Sequence, residues 1–343
     1  MTVSVQLSEC EEGDILASDI YNREGVKLIA GNTMVNPYII DKLIEQGIEN
    51  VRVYDPPVLW TKRFEKIDYG YKKQLLAIKS IMHDLASGKT LDVNKINSIA
   101  NSVYESLSEV ADQNIIQYLS RIKKKDEYTY QHSLNVAFYS MLIGRWLNFS
   151  ESEIKEVTLA GLLHDIGKIR VPLRILNKPA KLTDQEFDEI KKHPIYGYMI
   201  LEENNFASME IKRAVLLHHE RINCSGYPFS ISESEIDIMT RIVAVADVYD
   251  AMTSDRVYKK RATPFSAFEM FMTNGNDSFD SYVIGKFVSN MATMLTGSDV
   301  LLSNGDRGKV VYIPPHDIFS PIVCSGGKYI SLADQNLAIV SIL

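Results

Sequence analysis

Gly161-Leu162-Leu163-His164-Asp165-Ile166-Gly167-Lys168-Ile169 is the stretch on which the rest of the chain turns. Its apolar residues, with Val157 and Leu159 just before them, would line the buried face of a helix. Into that face the chain sets an imidazole and a carboxylate side by side. A carboxylate is almost never fully buried without a partner. A divalent first-row metal is one partner that takes imidazole and carboxylate together. The dipeptide alone decides nothing, since a capping Asp beside a hydrogen-bonded core His explains a lone pair more simply. The chain makes the same point with His83-Asp84 and His316-Asp317, which lack the apolar frame and the following Gly-Lys.

The neighbours of this stretch carry the case. Of seven histidines, five fall in one helical region. His132 lies on a helix expected over residues 130–147, whose apolar stripe is Leu134, Phe138, Met141, Leu142 and Trp146. Then come His164 with Asp165, His193 before Pro194, and His218-His219. Asp247 sits in Ile242-Val243-Ala244-Val245-Ala246-Asp247-Val248-Tyr249, a run too apolar for an unpaired carboxylate, which would cost several kcal/mol or shift its pKa upward. Each residue alone reads as an ordinary hydrogen-bonded side chain. Together they offer six nitrogen or carboxylate ligands before a second histidine of the His218-His219 pair is counted. That is too many for one tetrahedral zinc with an open position. It suits two ions close together with Asp165 bridging. Such pairs favour in-line displacement at phosphorus: they make hydroxide at neutral pH, polarise phosphoryl oxygens and steady the leaving oxygen. Ligation by His and Asp without thiolate favours iron, manganese or another first-row ion over structural zinc.

A chain of 343 residues, 45% apolar and 24% charged, is long enough for two or three domains. A formal charge of −7 argues against a nucleic acid polymer as partner and leaves a small phosphorylated ligand open. No apolar run reaches the length of a membrane span, and the first residues lack a basic stretch followed by an apolar one. Three scattered cysteines, Cys10, Cys224 and Cys324, fit a reducing cytoplasm, which is the expected location.

The expected architecture is mainly α. Residues 1–58 read as a small α/β module: alternating strands, a turn at Asn22-Arg23-Glu24-Gly25, a helix capped by Asn36 and opened by Pro37, and a closing strand before Pro56-Pro57. Residues 65–124 read as a helical connector, with helices over 71–86 and 92–124 and a solvated basic run from Arg121 to Lys125. Residues 125–296 form the helical domain with the histidines. Its capping boxes are Ser150 with Glu153 and Thr183 with Glu186; Pro194 should mark a helix end. Further helices are expected over 210–220 and 239–254. Residues 297–343 read as a small β-rich appendage, with short runs at Val300-Leu301-Leu302, residues 308–313, Lys328-Tyr329-Ile330 and Ala338-Ile339-Val340. It is too small to bury a core unaided and should pack on the helical domain.

His164-Asp165-Ile166-Gly167-Lys168, His193-Pro194, His218-His219-Glu220-Arg221, Gly226-Tyr227-Pro228 and residues 247–256 resemble, in that order, the HD-GYP family, a subgroup of the HD-domain metallohydrolases. The resemblance covers about residues 125–290. It implies an all-helical domain with a bimetal core and hydrolysis of cyclic di-GMP to linear pGpG, in some members on to GMP. It implies two divalent metal ions, iron or manganese, on His132, His164, Asp165, His193, His218, His219 and Asp247. Lys168 would contact the scissile phosphate or protonate the leaving oxygen, beside Asp165. On the substrate side would stand Tyr227, Arg256, Lys259 and Asp250, the last as a support. Asp247, Asp250 and Ser254 share a helix face by spacing. Arg256 offers a planar fork and Lys259 a point charge.

The chain departs from the family where Asn223-Cys224 replaces Asp-Gly. Asn keeps the shape and an oxygen but loses the charge, and Cys stands where Gly is favoured. Val257 replaces a common Pro. Tyr128 stands where members with a third metal carry Glu, so two metals are expected. Two alternatives stay open: a catalytically weak cyclic di-GMP receptor, and a hydrolase of another cyclic dinucleotide. The end modules leave room for a homodimer or for signalling partners.

Overall fold

Asn36 and Pro37 open the first helix, α1 (Pro37–Glu45). The Asn36 side chain accepts from the Ile39 amide at 3.1 Å, and Gly47, at φ +70°, turns the chain out at the other end. Around α1, strand β1 (Thr2–Gln6) pairs antiparallel with β4 (Asn50–Tyr54), and β2 (Ile20–Tyr21) with β3 (Lys27–Ile29). The structure, a computed structural model, describes residues 2–54, 60–108, 112–121, 128–254, 262–273, 275 and 277–343. The expected boundary at Pro56-Pro57 and most of the basic run after Arg121 lie outside them.

A long helix, α2 (Trp60–Ala86), leads into α3 (Val93–Ser108) and α4 (Asp112–Arg121). Both α3 and α4 fall within residues 92–124, where helical spacing is expected; residues 109–111 between them lie outside the described residues. The helices α5 (Tyr128–Trp146), α6 (Glu151–Leu163) and, later, α11 (Ile238–Thr253) pack on one another. Residues 131–144 of α5 are all buried, as are 157–163 of α6 and 242–247 of α11. A helix buried on every side carries no solvated face. Its polar residues must therefore find partners within the protein. The Ser150–Glu153 capping box opens α6, as expected.

After α6 come α7 (Leu173–Leu176), α8 (Asp184–Ile190), α9 (His193–Glu203) and α10 (Met209–Leu217). The Thr183–Glu186 capping box opens α8. Pro194 does not mark a helix end: α8 stops at Ile190, and Pro194 stands in the first turn of α9. There its missing N–H is one the helix would leave unpaired anyway. Beyond α11 lie α12 (Pro264–Met272) and α13 (Ser281–Thr293).

The C-terminal segment forms an antiparallel sheet in the order β8-β7-β6-β5-β9, with β5 (Asp299–Leu302), β6 (Arg307–Tyr312), β7 (Ile322–Ser325), β8 (Lys328–Ser331) and β9 (Ile339–Ile342). No expected run covers β7, a four-residue strand after Pro321 that turns into β8 through Gly326-Gly327. Val300, Leu302, Val310 and Val323 join the core of the helical region, so the sheet packs there as anticipated. It also packs on the N-terminal module, which was not anticipated. Tyr312 enters that module's core with Leu16, Ile39 and Val53. The Asn36 side-chain amide donates to the Val311 carbonyl at 2.7 Å, and the Tyr312 hydroxyl to the Leu28 carbonyl at 2.8 Å.

Candidate metal centre

Three helix ends aim imidazoles at one point by the same local device. His164 follows α6, His218 follows α10, and His193 comes three residues after α8. In each, Nδ1 lies within hydrogen-bond distance of the carbonyl three residues back: His164 with Gly161 at 2.7 Å, His193 with Ile190 at 2.8 Å, His218 with Val215 at 2.9 Å. A carbonyl only accepts, so Nδ1 donates, which in a neutral ring leaves the lone pair on Nε2. These Nε2 atoms converge. His164 Nε2 lies 3.3 Å from His132 Nε2, and His193 Nε2 lies 3.3 Å from His218 Nε2.

Two carboxylates complete the cluster. Asp165 turns Oδ2 towards His164 Nε2 at 3.3 Å and His132 Nε2 at 3.6 Å, and Oδ1 towards His193 Nε2 at 3.2 Å. Asp247, from α11, places Oδ1 3.1 Å from His132 Nε2 and Oδ2 3.7 Å from His219 Nδ1. The donor atoms form two groups, one of Asp165, His193, His218 and His219, the other of His132, His164 and Asp247. All seven predicted ligands are thus brought together, and Asp165 reaches both groups. His83 and His316, from the other two His-Asp pairs, are exposed.

The cluster is fit to hold cations. The Nε2 lone pairs of His193 and His218 face each other at 3.3 Å and repel, and a cation between them removes the conflict. Asp165 Oδ1 is buried and accepts no hydrogen bond, although His193 Nε2 lies 3.2 Å away. The electrostatics favour the ligand forms. Burial lowers His218 and His219 well below the ordinary imidazole range; neighbouring imidazoles add to this at both. Burial would raise the carboxyls. Lys168 and His164 outweigh it at Asp165, and at Asp247 the bond to His132, with His219 close by, does so, so both lie well below the usual range. His132 is the exception. Burial pulls it down, but hydrogen bonds to Asp247 and Asp250 carry it up to about 9.

Asp250 stands behind His132. Its Oδ2 accepts from His132 Nδ1 at 2.7 Å; its Oδ1 accepts from Asn135 Nδ2 at 2.9 Å and from the Ser254 hydroxyl at 3.0 Å. With both oxygens engaged, it orients His132. The Tyr71 hydroxyl on α2 donates in turn to Asn135 Oδ1 at 2.8 Å. Neither Asn135 nor Tyr71 was singled out from sequence. Asn135 lies three residues after His132, on the same helix face, and that spacing was the available signal; Tyr71 had none. Lys168, predicted to act on the phosphate, donates to Asp165 Oδ2 at 2.5 Å. Tyr227 stacks on His219, with ring centroids 4.5 Å apart and planes at 27°. Burial, then Asp247 and Asp165, push its phenol far up, so it keeps its proton. Arg256 and Lys259 lie outside the described residues, as does Val257.

The family model described as HD domain matches residues 109–283. The chain belongs to the HD domain family. A cyclic di-GMP phosphodiesterase of Pseudomonas aeruginosa is 37% identical over 247 residues, 72% of this chain and 59% of that protein. One from Thermotoga maritima is 36% identical over 176 residues, 51% of this chain and 48% of that protein. A 3′3′-cGAMP-specific phosphodiesterase of Vibrio cholerae is 38% identical over 138 residues, 40% of this chain and 30% of that protein. The chain therefore spans at most about three fifths of these curated relatives. Among solved structures, an HDG"Y"P protein from Bdellovibrio bacteriovorus superposes with a TM-score of 0.56 at 15% identity, covering 85% of this chain and 99% of that one. At that identity the likeness is one of fold. The order of motifs through this HD domain is that of the HD-GYP type. No described helix is long and apolar enough to cross a membrane.

The loop that departs from the family is held by Asn223. Asn223 Oδ1 accepts from the Ser225 amide at 3.1 Å and hydroxyl at 2.6 Å, bonds that need an oxygen and no charge. Cys224 sits at φ +62°, a conformation that costs an L-residue about 1–2 kcal/mol. Glycine relieves this but gives some back through its freer unfolded chain. Cys224→Gly is expected to raise Tm by about 1–2 °C. A fall in Tm by calorimetry would show that the thiol packs usefully there.

Proposed function

We propose that this HD domain chain is a metal-dependent phosphodiesterase that opens cyclic di-GMP to linear pGpG. The observation that carries the proposal is Asp165, whose two oxygens face two separate groups of nitrogen donors. His132, His164 and Asp247 would hold one divalent ion, and His193, His218 and His219 the other, with Asp165 shared; iron or manganese suits such donors. Bound there, two divalent ions polarise phosphoryl oxygens and generate hydroxide at neutral pH. The protein's own part is to fix the ligands, through carbonyls behind three histidines and Asp250 behind His132, and to keep the cluster from bulk water. Lys168, the cation on Asp165, is the proposed proton donor or phosphate contact, and Tyr227 the proposed aromatic contact for a base. Arg256 and Lys259 are proposed for the second phosphate.

The test is product chromatography. Protein purified without oxygen and loaded with iron or manganese should convert cyclic di-GMP to pGpG, with or without GMP following. Binding without turnover would favour a receptor. A second substrate is favoured by one observation, the similarity to the 3′3′-cGAMP-specific enzyme, so the same assay is run with that dinucleotide.

The ligand set also predicts a pH dependence. His132 lies above its ordinary value, so the metal-free site carries a proton there at neutral pH. That proton must leave before Nε2 can take a cation. Apparent metal affinity should therefore rise with pH by up to about tenfold per unit and level off above about pH 9. Chelator competition measures this; an affinity flat between about pH 7 and 9 would contradict it.

A further inference from the structure

His218 and His219 are followed by a carboxylate that no step above uses. Glu220 is 2% exposed, and its carboxylate serves one loop. Oε1 accepts from the Phe229 amide at 2.7 Å and the Ser230 amide at 3.1 Å; Oε2 accepts from the Ile231 amide at 3.3 Å. The loop before these residues is pressed against the same turn. The Tyr227 amide donates to the His219 carbonyl at 3.2 Å. A Cβ on Gly226 would overlap backbone atoms of Glu220, Arg221 and His219, so only glycine permits the approach. Tyr227, between Gly226 and these amides, lies with its ring on His219. Phe229 is 55% exposed, so the loop has solvent on its outer side and the carboxylate on its inner side. Bonds from a carboxylate to backbone N–H groups are among the stronger hydrogen bonds.

We infer that Glu220 is a positioning residue for the substrate: it ties residues 226–231 to the turn bearing His218 and His219, and so sets where Tyr227 meets a base of a cyclic dinucleotide. This rests on the phosphodiesterase reading of the site. The histidine ring of His218 is held separately, by the Val215 carbonyl, so loosening the loop leaves that ligand in place and moves the tyrosine.

Glu220→Gln keeps one accepting oxygen, and its amide nitrogen cannot serve the Ile231 amide. It should raise KM for cyclic di-GMP by about tenfold while kcat stays within about threefold and metal content is unchanged, the pattern of lost substrate binding. Tyr227→Ala should raise KM by itself, and adding Glu220→Gln to it should do nothing further, because residues acting through one contact are not additive. Additive effects, loss of metal, or a fall in kcat at constant KM would overturn the inference. Wild-type protein gives a check that needs no variant. The amides of Phe229, Ser230 and Ile231 should exchange at least about a hundredfold slower than in an unstructured peptide; unprotected amides would overturn the clamp. Wild-type protein that cleaves no cyclic dinucleotide sinks the phosphodiesterase reading instead, and amide protection then still decides whether Glu220 holds the loop.

Discussion

Asp165→Asn should abolish turnover, by at least about a thousandfold, and reduce the metal content from two ions to one or none. Asn has the size of Asp, so packing around a residue that is 1% exposed changes little. The charge, however, disappears from between the two donor groups. One of the two positions becomes an NH₂ facing either His193 or the His132–His164 pair, and an N–H donor repels a cation. Lys168 loses its carboxylate partner as well, so its ammonium is left beside the cation sites. Elemental analysis and single-turnover assays on the same preparation measure both effects. A variant retaining both ions and more than about a tenth of the rate would remove Asp165 from its shared role.

Gly167→Ala should be the most damaging small substitution. A Cβ at Gly167 would overlap the His193 carbonyl and the Gly197 amide. These are backbone atoms, so no rotamer change relieves the clash. The 3₁₀ turn Ile166–Arg170 would have to lift from α9, at a cost of about 3 kcal/mol or more, and Tm should fall by roughly 5 °C or more. The site would suffer too, since Asp165 precedes this contact, His193 lies within it, and the two side chains sit 3.2 Å apart. Gly285→Ala is the control: it lies in α13 with open space around it, and alanine there should be neutral or mildly stabilising. A Gly167→Ala protein as stable and as metal-rich as wild type would mean that α9 and the turn need not touch.

Much of this was legible because burial leaves polar residues little freedom. Asp247 in an apolar run announced that it needed a partner, and the structure supplies His132. The cap at Asn36 and the boxes at Ser150 and Thr183 were readable because the signal lies within four residues. Pro194 misled because proline excludes helix before it and favours helix after it, and only the second applied here. The Tyr71–Asn135–Asp250 chain spans α2, α5 and α11, and the Tyr312 contact joins the two ends of the sequence. Such pairings arise from packing between distant segments, and no local pattern encodes them. Glu220 was visible as part of a motif, but the three amides it serves lie nine to eleven residues away, in a loop without periodicity.

The most direct measurement is the metal count of protein purified without oxygen, compared among wild type, His132→Ala and His193→Ala, which remove one ligand from each donor group. The account predicts about two ions per chain in wild type and a loss of about one ion in each variant. A wild-type chain that binds no stoichiometric metal, or variants that keep the full complement, would contradict it.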